Sequence, residues 1–325
     1  MDINRIFEIK TSSQFNKIAL EVFNFQYDNN TIYQKFCSYL GKSKCDVNAV
    51  EDIPYLPIEF FKSKRVITKN QKPQIVFESS GTTGQLVSKH YVTKLAIYEK
   101  SYLKTFEHFY GNIEDYCVLA LLPSYMERAG SSLIYMVKNL IKKSGNPKSG
   151  FYLDNKVDLL RTLESLDQTS SKNILIGVSY ALLDFSENHS INLKNTIIME
   201  TGGMKGRRTE LVRDELHRIL KNSFGPDVIH SEYGMTELLS QAYSKANGIF
   251  NCPPWMSVSI RQTEDPLTTE PFGKIGGINI IDLANIYSCS FIATQDLGRI
   301  YKDGSFEVLG RFDHSDIRGC NLMVL

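Results

Sequence analysis

Apolar residues recur at helical spacing in the first forty positions and then give way to a different rhythm. Between Ser12 and Tyr27, Phe15, Ile18 and Val22 fall on one side of a 3.6-residue turn, and Tyr33, Phe36 and Leu40 repeat the pattern. Both stretches predict short helices. The two prolines of Ile53-Pro54-Tyr55-Leu56-Pro57-Ile58 forbid a regular helix and predict an extended connector. From about residue 74, short β-branched and aliphatic runs alternate with amphipathic stretches. Residues 75–77, 118–122, 174–178, 195–199 and 228–231 predict strands. Residues 94–109 predict a helix with Leu95, Tyr98, Tyr102, Phe106 and Phe109 on one face, and 209–220 another, carrying Leu211, Leu216 and Ile219. Such alternation is the mark of an α/β domain with mainly parallel central strands. After Ile260 the chain reads as shorter strands and turns, over 276–282 and 304–310. The expected organisation is an N-terminal helical segment over 1–73 packed on an α/β domain over 74–325.

The totals narrow the function classes. The 325 residues suffice for one large domain or two moderate ones. With 37 basic and 36 acidic side chains, the net charge of +1 offers no strong field to nucleic acid or an anionic membrane, so neither partner is expected. The start of the chain has no apolar stretch behind its charges, and the longest apolar runs are strand-length, far short of the ~20 residues of a membrane helix. Cysteines 37, 45, 117, 252, 289 and 320 are scattered without a CxxC pair, which argues against a zinc site and a disulfide framework and favours a reducing cytoplasm.

Candidate chemistry begins at Ser79-Ser80-Gly81-Thr82-Thr83-Gly84, directly after the first predicted strand. Its glycines permit close backbone approach, and its hydroxyls and N–H groups can bind phosphate oxygens. Gln85 stands where a Walker loop needs lysine, so the loop is not of that type. Alone, such a string fits a plain surface loop equally well. Three further segments change the balance: His230-Ser231-Glu232-Tyr233-Gly234-Met235-Thr236-Glu237, Thr294-Gln295-Asp296-Leu297-Gly298-Arg299, and Gly310-Arg311-Phe312-Asp313.

In this order the four segments resemble the phosphate loop, the Tyr-Gly-x-Thr-Glu motif, the Thr-x-Asp-x-Gly motif and the Gly-Arg-x-Asp hinge of the adenylate-forming superfamily. The resemblance implies the large-domain architecture of that superfamily, with mixed and parallel sheets flanked by helices. It also implies ATP and Mg²⁺ as cofactors. Ser79, Ser80, Gly81, Thr82, Thr83 and Gly84, with Lys89, would bind the phosphates; Gly202 and Gly203 would line the adenine slot; Tyr233 would stack on adenine. Thr236 would hydrogen-bond the α-phosphate, Glu237 would ligate Mg²⁺, Asp296 would accept the ribose hydroxyls, and Arg311 would neutralise charge during adenylation. Taken singly, Tyr233 also suits a core aromatic, Glu237 a helix start, and Asp296 a turn.

Closer likeness, through Leu56-Pro57-Ile58-Glu59-Phe60-Phe61-Lys62, Thr201-Gly202-Gly203-Met204-Lys205 and Cys252-Pro253-Pro254-Trp255-Met256, is to the acyl-protein synthetase (LuxE-like) branch, with phenylacetate-CoA ligases as the nearest competing group. Two departures stand out. Only 312–325 follow Arg311, so the expected architecture lacks the small mobile C-terminal domain and its catalytic lysine. Lys89 also comes later than the lysine of the usual Gly-x-Pro-Lys pattern. In this branch the acyl group is carried on a cysteine near the C-terminus, a position Cys320 fits; Arg318 would favour its thiolate. The implied activity is ATP-dependent conversion of a carboxylic acid, by family suggestion a fatty acid, to acyl-AMP, then transfer to a thiol. A CoA- or carrier-protein-loading ligase and a degenerate nucleotide-binding subunit stay open, as do a reductase, acyltransferase or carrier protein as partner. The acyl pocket is expected among residues 119–132, 176–183 and 231–234, with His230 beside it.

Overall fold

The computed structural model describes residues 2–80, 86–123, 130–202 and 211–312. Chain contacts divide into two compact units, Met1–Lys72 with Pro254–Leu325, and Pro73–Pro253.

The first unit starts with helix α1 (Ser12–Asn29). Thr11 caps its N-terminus in a capping box with Gln14. Phe15, Ile18, Ala19, Val22 and Phe23 form its buried stripe, which extends the predicted helical face. Asn30 ends α1 and starts α2 (Thr31–Tyr39), its side-chain oxygen accepting from the N–H groups of Ile32 and Tyr33. The connector forms β1 (Leu56–Pro57) and the one-turn helix α3 (Phe60–Ser63).

The second unit holds two sheets. A hairpin pairs β2 (Ile75–Glu78) with β3 (Lys89–Val92) in antiparallel register, Glu78 opposite Lys89, and α4 (Leu95–Tyr110) follows. The buried face of α4 carries Ile97, Tyr98, Tyr102 and Phe106; Leu95 and Phe109, expected on that face, are only half-buried. Next come β4 (Tyr116–Leu121), α5 (Ser132–Ser144), β5 (Gly150–Phe151), α6 (Lys156–Asp167), β6 (Lys172–Val178), α7 (Ser179–Ser186) and β7 (Thr196–Thr201). Helix α8 (Arg213–Phe224) then leads to β8 (His230–Tyr233), β9 (Ala242–Ser244) and β10 (Ile249–Asn251). In the described residues α8 starts at Arg213, after Leu211 and Val212, so the predicted helix is displaced toward the C-terminus. The strand order is β10-β9-β8-β7-β6-β4-β5, parallel from β5 to β8 and antiparallel at β9 and β10. Every residue of β4 is buried, as a parallel strand covered on both faces requires.

The returning chain completes the first unit with β11 (Met256–Arg261), β12 (Ile275–Asp282), β13 (Phe291–Ile300) and β14 (Phe306–Arg311). These pair antiparallel in sequence order, and β1 lies parallel to β13. Polar residues in α1 secure the junction. The Gln26 amide donates to the carbonyls of Asn285 and Ile286 at 3.1 and 2.9 Å, and Asn30 donates to Ser288 at 2.7 Å. Phe23, Tyr33 and Phe291 form an aromatic cluster beneath them. Trp255 is buried edge-on against Phe7, a packing role. Among the described residues no helix is long and apolar enough to cross a membrane.

Candidate functional site

Gly202 and Tyr233 stand at the carboxyl ends of the parallel strands β7 and β8, where open α/β sheets receive ligands. The predicted strand over 228–231 is displaced by two residues, which makes Tyr233 the last residue of β8. Its ring is nearly buried and meets Phe250 at 5.9 Å and 60°. Gly202 has φ 63°, a left-handed backbone that favours glycine. Its carbonyl accepts from the Ser179 hydroxyl at 2.6 Å, which links the ends of β6 and β7.

The adjoining carboxylates are buried. Glu232 accepts a short hydrogen bond from the Thr201 hydroxyl, its register partner across β7 and β8. A Cβ on Gly234 would sit 2.6 Å from the Glu232 carboxylate, so this glycine leaves room for the acid to fold back. Glu200 lies 3.6 Å from His217 and 3.8 Å from Arg213, and the Arg213 guanidinium covers the Phe250 ring at 4.9 Å. Glu200, Glu232 and Arg213 have no role assigned from sequence; their only signal there is polarity at strand ends and in a helix's first turn.

Thr236 and Glu237 form the turn after β8, with Glu237 only 5% exposed. His90 holds this turn: its Nδ1 lies 2.8 Å from the Thr236 carbonyl. A carbonyl only accepts, so Nδ1 carries the proton. His90 is fully buried in β3, because alternation along the hairpin turns His90 inward and Lys89 outward. The strand leaving the Ser/Gly/Thr loop is thus joined to the Thr-Glu turn.

Ser79 and Ser88 close the loop's neck. Ser79 N–H donates to the Ser88 carbonyl at 3.1 Å, and Ser88 N–H to the Ser79 hydroxyl at 2.9 Å. Lys89 is at the mouth, half-exposed, 3.3 Å from Glu78. Ser80 is exposed. Gly81, Thr82, Thr83, Gly84, Gly203 and Cys320 lie outside the described residues.

The other two candidates belong to the first unit. Asp296, in β13, is 5% exposed, and its Oδ1 accepts from Nε of the exposed Arg311, its cross-strand partner, at 3.1 Å. Among the described cysteines, burial raises the thiols of Cys37, to about 12, and of Cys289 and Cys117, which leaves them poor nucleophiles at neutral pH. Cys45 is exposed and Cys252 half-buried. Among the described residues no cluster of three His, Cys, Asp or Glu side chains could hold a metal by itself.

His230 is the first residue of β8, at the end away from Tyr233. There it lines a cavity of about 530 Å³ with Tyr116, Lys172, Asn173, Lys194 and Asn195. Tyr110 Oη is 3.1 Å from His230 Nδ1, and burial, helped by Lys245, lowers the imidazole pKa to about 4. The folded imidazole is therefore neutral at pH 7. In the unfolded chain it takes a proton below about pH 6.5. Between these values the unfolded state binds more protons, so the stability present above pH 6.5 is lost as pH falls toward 4, by about 2 kcal/mol for a partly exposed group. Urea unfolding of the wild type and His230→Gln at pH 7 and 4.5 tests this. The wild-type midpoint should fall more steeply, and parallel falls would remove the assignment.

A family model described as "Acyl-protein synthetase, LuxE" matches residues 6–325. The long-chain-fatty-acid–luciferin-component ligase of Vibrio harveyi is 23% identical over 333 residues, covering 94% of this chain and 86% of its own. Among solved structures, ATP-bound MatB from Rhodopseudomonas palustris has 18% identity and a TM-score of 0.55 over 73% of this chain and 47% of its own. A 2-hydroxyisobutyryl-CoA ligase in the postadenylation state with 2-HIB-AMP has 11% identity and a TM-score of 0.67 over 93% of this chain and 68% of its own. The chain thus spans about half the length of the first of these structures, and at such identities the likeness is one of fold.

Proposed function

The chain belongs to the acyl-protein synthetase family, LuxE, a family of acyl-adenylating ligases, and from that premise we propose that it activates a fatty acid with ATP and passes the acyl group to a thiol. In the first step a carboxylate oxygen attacks the α-phosphorus of ATP, forming acyl-AMP and releasing pyrophosphate. In the second a thiolate attacks the acyl carbonyl carbon and expels AMP, leaving a thioester.

The observation that carries this reading is the His90–Thr236 bond, which joins the loop hairpin to the Thr-Glu turn across 146 residues of sequence. Thr236 would donate its hydroxyl to the α-phosphate, where charge builds as the carboxylate attacks. Glu237 suits magnesium: this ion takes one or two protein carboxylates and otherwise oxygens from phosphates and water, so a lone buried acid is enough. The bound cation would neutralise phosphate charge. Lys89 at the loop mouth and the loop N–H groups would take the outer phosphates, leaving Glu78 for the nucleotide. Tyr233, with Gly202 and Gly203, would hold adenine. The two Asp296 oxygens would accept the ribose hydroxyls, and Arg311 would neutralise charge during adenylation.

For the acceptor, the raised thiols of Cys37, Cys117 and Cys289 favour a sulfur elsewhere, and Cys320 is the proposed carrier within the chain. The family likeness supports a cytoplasmic enzyme that hands the acyl group to a reductase or acyltransferase. Carboxylate-dependent ATP–pyrophosphate exchange across acids of increasing length tests the first step, and no exchange with any acid removes the enzymatic reading in favour of a nucleotide-binding subunit. Labelled acid should acylate the wild type and not Cys320→Ser. Equal labelling of both removes Cys320, and thioester formation only with added CoA or carrier protein assigns the acceptor role to that thiol.

A further inference from the structure

The Thr294–Asp296 segment has lost its ladder on one side. In the pairing of β12 with β13, Gly277 faces Leu297 and Asn279 faces Ala293, so Thr294, Gln295 and Asp296 together oppose Ile278. Such a bulge re-aims a side chain and leaves backbone groups to find other partners. The partner here is Arg261, at the end of β11. Its guanidinium is buried and donates to the Thr294 carbonyl at 2.5 Å, the Ile278 carbonyl at 2.8 Å and Asn279 Oδ1 at 3.0 Å. Thr294 then donates its hydroxyl to Ile278 at 2.8 Å and accepts the Asp296 N–H at 3.1 Å. The guanidinium fits because residue 277 is glycine: a Cβ there would lie 2.5 Å from Arg261 Cζ.

We infer that Arg261 is a positioning residue for Asp296, fixing the bulge from which this carboxylate reaches the ribose; the inference rests on the ribose role given to Asp296 above. A buried cation is costly without partners, and a lysine has no planar fork to serve three acceptors at once. Glu59 and Asp296 supply compensating negative charge. Arg261 also lies under the Phe312 ring, 5.5 Å from its centre, immediately after Arg311.

The test compares ATP with 2′-deoxy-ATP in carboxylate-dependent pyrophosphate exchange for four proteins: wild type, Arg261→Lys, Gly277→Ala and Asp296→Asn. Arg261→Lys keeps the charge and loses the fork. Gly277→Ala keeps the arginine and displaces it. Both should raise the KM for ATP about tenfold, with the KM for the acid within twofold, and both should shrink the preference for ATP over 2′-deoxy-ATP toward that of Asp296→Asn. A purely structural arginine would lower all rates without changing that preference. If both variants keep the wild-type preference within twofold while Asp296→Asn loses it, Arg261 has no such role. If Asp296→Asn keeps it, the ribose reading itself fails. Should Gly277→Ala not fold, Arg261→Lys decides by the same comparison.

Discussion

Replacing Glu237 by glutamine is expected to lower carboxylate-dependent ATP–pyrophosphate exchange about 10²- to 10³-fold, at most a few degrees of melting temperature being lost. The side chain is buried in the turn after β8, so glutamine fits the same volume. What changes is charge. A carboxylate is a hard anionic ligand for magnesium and a neutral amide a much weaker one. A loss of 10²–10³ corresponds to about 3–4 kcal/mol of transition-state stabilisation, within what a metal-linked charge interaction supplies. Raising the magnesium concentration should recover part of the rate in the variant and little in the wild type. Exchange within threefold of wild type, with the variant folded, would remove Glu237 from the site.

The second large effect is on stability. Phe291→Ala should destabilise the unit formed by 1–72 with 254–312 by about 3–5 kcal/mol, the range for truncating a buried aromatic. Phe291 is fully buried, stacks on Tyr33 at 5.8 Å and meets Phe23 at 6.4 Å. Tyr33 is anchored by its hydroxyl on the Pro54 carbonyl at 2.7 Å, so α2 cannot easily shift to fill the cavity. The loss is a large share of a typical folding free energy. Denaturant unfolding followed by tyrosine or tryptophan signal checks it: Trp255 belongs to the same unit and reports its melting. A midpoint shift equivalent to less than about 1 kcal/mol would show that the cluster collapses around the gap.

Much of the core of the parallel sheet was legible because burial on both faces leaves a continuous apolar run, as in Tyr116–Leu121, and strand period then matters little. Strand ends were less legible. Residues 228–231 and 230–233 are equally plausible by propensity, and only pairing with β7 selects the second. The proposed site residues come from short strings such as Tyr233-Gly234-Met235-Thr236-Glu237, whose chemistry is local. His90 and Arg261 have no such string. Each acts on a backbone carbonyl distant in sequence, 146 and 33 residues away, and a carbonyl carries no residue identity to be read.

The sequence by itself determined the family and the α/β pattern, and it supplied the side chains proposed for phosphate, metal and ribose chemistry, because these depend on residue type and local spacing. Only the tertiary structure decided that the first helices join the returning chain after residue 254, and that Gly277 makes room for a buried arginine behind Asp296. It likewise decided that an inward-facing histidine clamps the Thr-Glu turn. Those outcomes depend on which backbone groups are left without a ladder partner once the strands have paired, and that is fixed by register across the sheet and not by any one segment.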